Sequence, residues 1–429
     1  MAIGGKRAAA PDVSRETLAS RYRRVRARTL ALAGPLSPED QAIQSMPDAS
    51  PVKWHLAHTS WFFETFVLGR SKDYEAFDAA YGYLFNSYYE AEGPRIPRAA
   101  RGMLSRPPLE EILAYRRHVD AAMERLLEGS GDRSWADESR LIELGLNHEE
   151  QHQELILMDV KHLFSLNPLA PSYGAFPPAL VRDAPELAWI SFEGGLKEIG
   201  HDGRGFAFDN ETPRHKVWLE PFRLASRLTT NADYRAFIDD GGYRRPEFWL
   251  ADGWAAVTAE SWEAPLYWRR EGGAKEVQWR IFTLAGLQPI NPAAPVCHVS
   301  LYEADAFARW SGKRLPREAE WEIAAESAPA AGNFAERGFL HPLPAARPGL
   351  AQMFGDVWEW TQSPYTPYPG FRPEAGAVGE YNGKFMANQF VLRGGSAATP
   401  GGHVRATYRN YFPPSARWAF SGVRLADDI

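Results

Sequence analysis

Between Asp137 and Leu166 the chain runs without a proline, and Asn167-Pro168 closes the run. That stretch reads as one long helix, ended where proline removes a backbone N–H. A helix of this length needs partners to bury its apolar stripe. Three lie upstream. Ser14 to Leu32 carries apolar residues at helical spacing. Ser50-Pro51 reads as an N-cap and first-turn proline for a helix to Leu68, with Trp54, Ala57, Trp61 and Phe62 inward. Pro108 opens another helix to about Leu127. Four helices fit an up-and-down bundle. The connection from Tyr81 to Pro107, rich in Gly, Pro, Arg and Tyr, is long enough to suggest function.

From about Leu187 the texture changes. Short strand-like runs (LAWISF, KVWLEPFRLA, QFVLRGG, FSGVRLA) alternate with Gly, Pro and Asn turns. Helices are expected only near Asn231 to Asp239, Tyr302 to Ser311 and Arg317 to Glu326. At 429 residues the chain is too long for one ordinary core. The expected class is therefore α+β in two domains: a helical bundle over 13–168, a Pro-rich linker over 169–186 and an irregular β-rich domain over 187–429.

Composition narrows the function. The net charge of −6, without a basic block, argues against a nucleic-acid partner. No apolar run is long enough for a membrane span. The N-terminal MAIGGKRAAAPD lacks the apolar core of a signal peptide and reads as a disordered leader. Cys297 is the single cysteine, which excludes an intramolecular disulfide and a thiolate cluster and suits a reducing cytoplasm.

The chemistry concentrates in His148-Glu-Glu-Gln-His152. On a helix, i and i+4 imidazoles share a face and can share one ion, and neutral imidazoles suit zinc, copper, nickel and iron(II). The string also matches the H-E-x-x-H helix of zinc peptidases. The extended form of that motif needs Gly and His where Leu155 and Met158 stand, and nothing marks a glutamate ligand elsewhere. A third ligand is better sought in Trp54-His55-Leu56-Ala57-His58, since histidine in so apolar a helix is costly unless paired or ligating. Spacing leaves His55 and His58 both open.

The segments MPDASPVKWHLAHTSWFFE, FNSYYEAEGPRIPRAARGMLSRP and LGLNHEEQHQEL resemble the sulfoxide synthases of ergothioneine biosynthesis. KRLPREAEWEIAAE, FGDVWEWTQSPY, VLRGGS and TYRNYFPPSARWAFSGVRLA resemble the formylglycine-generating-enzyme-like domain, a C-type-lectin variant, which that family joins to a DinB-like bundle. The resemblance implies oxidative coupling of a cysteine-type thiol to C2 of N-α-trimethylhistidine (hercynine), using O2 and iron(II) on three histidines. It implies His58, His148 and His152 as ligands, with His55 supporting them. It implies Gln151 on the substrate imidazole, Asn410, Tyr411 and Phe412 around the trimethylammonium, Arg98 and Arg101 on the thiol's carboxylate, and Asp48 on its ammonium. Tyr88-Tyr89 resemble the tyrosine pair of the cysteine-using branch; the other branch carries its tyrosine in the C-terminal domain. A phenol there can give a proton to oxygen. Cys297 alone does not supply the cysteine pair of a formylglycine-generating enzyme, so Trp358, Glu359, Trp360 and Arg393 read as scaffold.

Competing readings are a paralogue using histidine, as in ovothiol synthesis, or a selenium donor; a zinc hydrolase on the H-E-x-x-H helix; and a lectin-like binding module with a structural metal.

Overall fold

The expected helices form, with shifted ends. The computed structural model describes residues 14–129, 135–272 and 278–429; the expected leader lies outside them. Helices α1 (Arg15–Ala33), α2 (Val52–Phe66), the short α3 (Tyr81–Phe85), α4 (Leu109–Glu128) and α5 (Trp135–Leu166) make up the N-terminal part. Ser14 caps α1, accepting from the Thr17 N–H at 3.2 Å. Ser50 does not cap α2, contrary to the sequence reading. Pro51 stands at that position, and Ser50 Oγ instead accepts from Arg101 at 2.9 Å. Every residue of α2 except Thr65 is buried, including Trp54, Ala57, Trp61 and Phe62. It is the central rod of the bundle, and its polar side chains must find internal partners.

The chain divides into two compact units, each assembled from more than one stretch of sequence. One comprises residues up to His152 together with Gly200–His215 and Tyr368–Gly383. The other comprises Gln153–Ile199, Lys216–Pro367 and Lys384–Ile429. The division falls within α5, one residue past His152.

The second unit is built on small sheets. Strands β1 (Trp189–Phe192), β4 (Phe222–Ala225) and β12 (Ala426–Asp428) form one antiparallel sheet, ordered β1-β4-β12. Strands β2 (Gly195–Ile199) and β3 (His215–Leu219) pair, so KVWLEPFRLA makes two strands in two sheets, broken at Glu220-Pro221. Strands β5 (Trp268–Glu271), β6 (Gln278–Thr283) and β7 (Gly286–Pro289) form a meander that the sequence reading did not anticipate. Strands β8 (Trp358–Pro364), β9 (Phe390–Arg393), β10 (Asn410–Phe412) and β11 (Ser421–Gly422) form the fourth sheet, ordered β10-β9-β8-β11. Helices α6 (Asn231–Asp239), α8 (Leu301–Trp310) and α9 (Glu318–Ala325) match expectation; α7 (Ala251–Glu260) was missed.

The core of this unit contains charge. Glu359 takes two hydrogen bonds from Arg424, at 2.7 and 2.9 Å, and one from Trp321 Nε1 at 2.9 Å. Arg393 reaches Glu318 and Glu322 at 3.1 and 3.0 Å. Trp358 Nε1 donates to Glu154 at 2.8 Å, and Ser396 and Thr399 donate to the same carboxylate at 2.5 and 2.6 Å. The Glu359 and Glu154 carboxylates each take three hydrogen bonds, and such buried networks fix a unique packing.

Candidate metal centre

Two features of local sequence bring α2 against α5. Gly145, one turn before His148, removes the side chain where the helices meet: a Cβ there would lie 2.6 Å from Phe63 Cε1 and 3.0 Å from Phe62 Cε1. The i,i+4 spacing then aims His148 and His152 across the seam at α2. His58, His148 and His152 are all buried, and one ring nitrogen from each lies within 4.8 Å of the others.

The hydrogen bonds assign the nitrogens. His58 Nδ1 faces the Phe85 carbonyl at 2.6 Å, so it carries the proton and leaves Nε2 as the donor atom, 3.2 Å from His148 Nε2. His152 Nδ1 lies 2.8 Å from His55 Nδ1, leaving its Nε2 inward. His55 therefore stands behind a ligand rather than among them, the support that orients a metal-bound imidazole. Trp54 and Trp61 stack on the His58 ring at centroid distances of 4.6 and 5.5 Å. Burial, reinforced by the neighbouring imidazoles, holds His58 and His152 well below the ordinary histidine range, and burial pushes His148 down to about 3. All three are thus neutral at physiological pH, as metal ligation requires. Three convergent neutral nitrogens fit iron(II) and equally zinc, copper or nickel.

Glu149 points elsewhere. It is fully buried, takes a 3.0 Å bond from Arg26 and a second from Arg116, and is held down to about 2 by the two guanidiniums against the opposing effect of burial. Arg26 also binds Asp120 at 2.6 Å and Ser60 at 3.0 Å. Both of its oxygens are thus engaged by guanidiniums from α1 and α4. A carboxylate held so low by two cations is a poor proton acceptor, which weighs against the zinc-hydrolase reading.

The remaining predicted residues divide between the units. In the first, Arg101 is buried, its guanidinium 3.4 Å from the Trp54 ring centre, while Arg98 and Asp48 are exposed. Tyr89 is buried among Trp61, Phe62 and Phe66, and Tyr88 stacks on it at 4.7 Å. The tyrosine that the sequence reading missed is Tyr381. Its ring packs 5.6 Å from His148, its phenol donates to Gln151 Oε1, and it lies 6.2 Å from the Tyr88 ring. Phe208 stacks on its other face at 5.5 Å. Nothing local in GEYNGKF marks this role. In the second unit, Asn410, Tyr411 and Phe412 form half-buried β10. Tyr411 stacks on Tyr365 at 4.0 Å and Phe412 packs edge-on against Trp418.

Residues 21–156 match the DinB superfamily, and 175–341 with 340–429 match the sulfatase-modifying factor enzyme 1-like domain. The molecule is thus a two-domain protein of the class that joins a DinB bundle, here holding three histidines, to a sulfatase-modifying-factor domain. It is 34% identical to hercynine oxygenase of Mycolicibacterium thermoresistibile, over 89% of this chain and 88% of that one. It is 32% identical to hercynine oxygenase of Mycolicibacterium smegmatis, over 97% and 100%. Formylglycine-generating enzyme of Streptomyces coelicolor is 30% identical over 60% of this chain and 95% of its own. The chain belongs to the hercynine oxygenase family, the sulfoxide synthases of ergothioneine biosynthesis, and is an oxidoreductase. No helix among the described residues is long and apolar enough to cross a membrane.

Proposed function

We propose that this chain couples the thiol of cysteine to C2 of hercynine and oxidises the sulfur, with iron(II) on His58, His148 and His152. The observation that carries the proposal is the convergence of three neutral imidazoles with Gln151 and Tyr381 beside them. The overall reaction balances: O2 accepts two electrons as S–H and C2–H become a C–S bond, and two more as the sulfide becomes a sulfoxide. One oxygen atom ends on sulfur and the other in water. Iron(II), when bound, supplies the redox chemistry between O2 and the thiol; the side chains do the rest. Gln151 Oε1 accepts from the Tyr381 phenol, and its amide N–H is proposed to donate to the substrate imidazole. Tyr381, whose ring packs 5.6 Å from that of His148, is proposed as the proton donor. Tyr88, whose phenol is pushed up by burial and so stays protonated, adjoins it. Arg98 and Arg101 take the thiol's carboxylate. Asn410, Tyr411 and Phe412 are proposed for the trimethylammonium, which aromatic faces attract. Asp48, which the resemblance assigns to the thiol's ammonium, is exposed and carries no role in this proposal.

Tyr381 favours a second reading of the donor. A tyrosine from the C-terminal half resembles the branch that does not use free cysteine, so γ-glutamylcysteine stands beside cysteine. The test is anaerobic reconstitution with iron(II), then oxygen uptake and mass spectrometry of the product with hercynine and either thiol. Coupled sulfoxide is the expected product, and the ratio of kcat/KM names the donor. Turnover supported by zinc without oxygen consumption would overturn the proposal.

A further inference from the structure

Asp209 is a half-buried carboxylate whose Oδ2 is itself buried without an aligned side-chain or backbone donor among the described residues. It stands in the segment Gly200–His215, which folds with the bundle. Its Oδ1 accepts from Asn382 Nδ2 at 2.7 Å. The backbone N–H of Asn210 gives it some electrostatic support. Its Oδ2 is buried without an aligned donor among the described residues. Leaving such an oxygen without a donor is costly, and in a native structure it calls for a ligand or a water.

The placement of that oxygen is defined by its neighbours. Phe208-Asp209 runs beside Tyr381-Asn382: Phe208 stacks on Tyr381 while Asp209 bonds Asn382. Tyr381 in turn touches His148 and Gln151. Asp209 therefore lies behind Tyr381, whose ring packs against His148. Arg98, of opposite charge, and Asp209 both act on the Tyr88 phenol. Glu380 also does, but its two oxygens accept from the Glu90 and Ala91 N–H groups at 3.0 and 2.9 Å. The side chain of Arg98 forms no ion pair among the described residues. A cation and an anion near one phenol, the anion with a buried oxygen that lacks an aligned donor among the described residues, match the two ends of an α-amino acid.

We propose that Asp209 is the anchor for the α-ammonium of the thiol substrate, with its carboxylate on Arg98. This rests on the coupling reaction proposed above and deepens it. A primary ammonium donates hydrogen bonds, as the orphaned oxygen requires; the trimethylammonium of hercynine cannot. In γ-glutamylcysteine the same nitrogen is a neutral amide, so Asp209 selects free cysteine.

The test is Asp209→Asn, which keeps an oxygen for Asn382 but replaces the anionic oxygen by a donor. With hercynine saturating, kcat/KM is measured for L-cysteine and for 3-mercaptopropionate, which lacks the amino group. In the variant, cysteine should fall by about tenfold or more while 3-mercaptopropionate changes little, and the hercynine KM and the iron content should hold. Equal losses for both thiols, or none, would overturn the assignment and leave Asp209 as a support for Tyr381 or a water site. Calorimetric titration of the metal-free protein with L-serine, the oxygen analogue, reads the same site without turnover. Should the wild type form no coupled product, the reaction reading fails, while serine binding that Asp209→Asn abolishes would still sustain the ammonium site. Serine binding equal in the two proteins would sink it. Asp209→Glu replaces Asn if that variant does not fold.

Discussion

Replacing Glu149 by Gln tests how the bundle is held and what the H-E-x-x-H string means. The substitution keeps volume and removes the charge. Arg26 retains Asp120, but Arg116 loses its carboxylate and keeps only neutral partners: the Leu56 and Arg26 carbonyls and Thr59 Oγ1. Breaking one side of a buried ion pair costs about 3–5 kcal/mol. The carboxyl gives a similar figure, since its fall from 4.5 to about 2 corresponds to roughly 3 kcal/mol. Because the folded value is the lower one, this stability is fully present above pH 4.5 and disappears as pH falls toward 2. Calorimetry should show the bundle's transition lowered by roughly 6–20 °C at neutral pH. The wild type should lose that advantage in acid, while the variant's transition changes less over the same range. Iron content and kcat/KM at low temperature should stay within a few-fold of wild type. A double change, Arg116→Met with Glu149→Leu, removes both charges and should recover much of the loss. An unchanged transition with catalysis abolished would refute the reasoning and restore Glu149 as a general base.

His58→Ala, His148→Ala and His152→Ala should each abolish iron binding in a folded protein, whereas His55→Ala should keep iron with an affinity weaker by about 10- to 100-fold. Loss of iron only in His55→Ala would reverse the ligand assignment. Tyr381→Phe should bind iron and both substrates normally, yet turn over more slowly or divert cysteine toward the sulfinic acid. Tyr88→Phe and Tyr89→Phe should do so less, and product analysis of the three variants checks the order. Gly145→Ala should cost about 1–3 kcal/mol by forcing Phe62 and Phe63 apart from α5, with iron affinity falling alongside stability. Stability and iron affinity both at wild-type levels would show that the seam is looser than the contact distances imply.

The amino-acid sequence by itself determined the helices and the pairing of His148 with His152, because both depend on a period of a few residues. The absence of proline, the Asn167-Pro168 stop and the i,i+4 spacing are local facts that tertiary contacts had no reason to overrule. The resemblance extended this to His58, but spacing on α2 could not separate it from His55. That distinction depends on which nitrogens converge across the seam with α5: His58 Nε2 meets His148 Nε2, whereas His55 meets the Nδ1 of His152 that points away from the cluster. The direction of Glu149 was equally hidden. Its partners, Arg26 and Arg116, lie on α1 and α4, and only the folded bundle shows that they outcompete the metal face. Tyr381 and Asp209 were illegible for a stronger reason. Tyr381 reaches a glutamine 230 positions away, and Asp209 is defined by what its second oxygen lacks. No periodicity encodes either one: the meeting of distant segments is decided by the burial and hydrogen bonding of the whole unit.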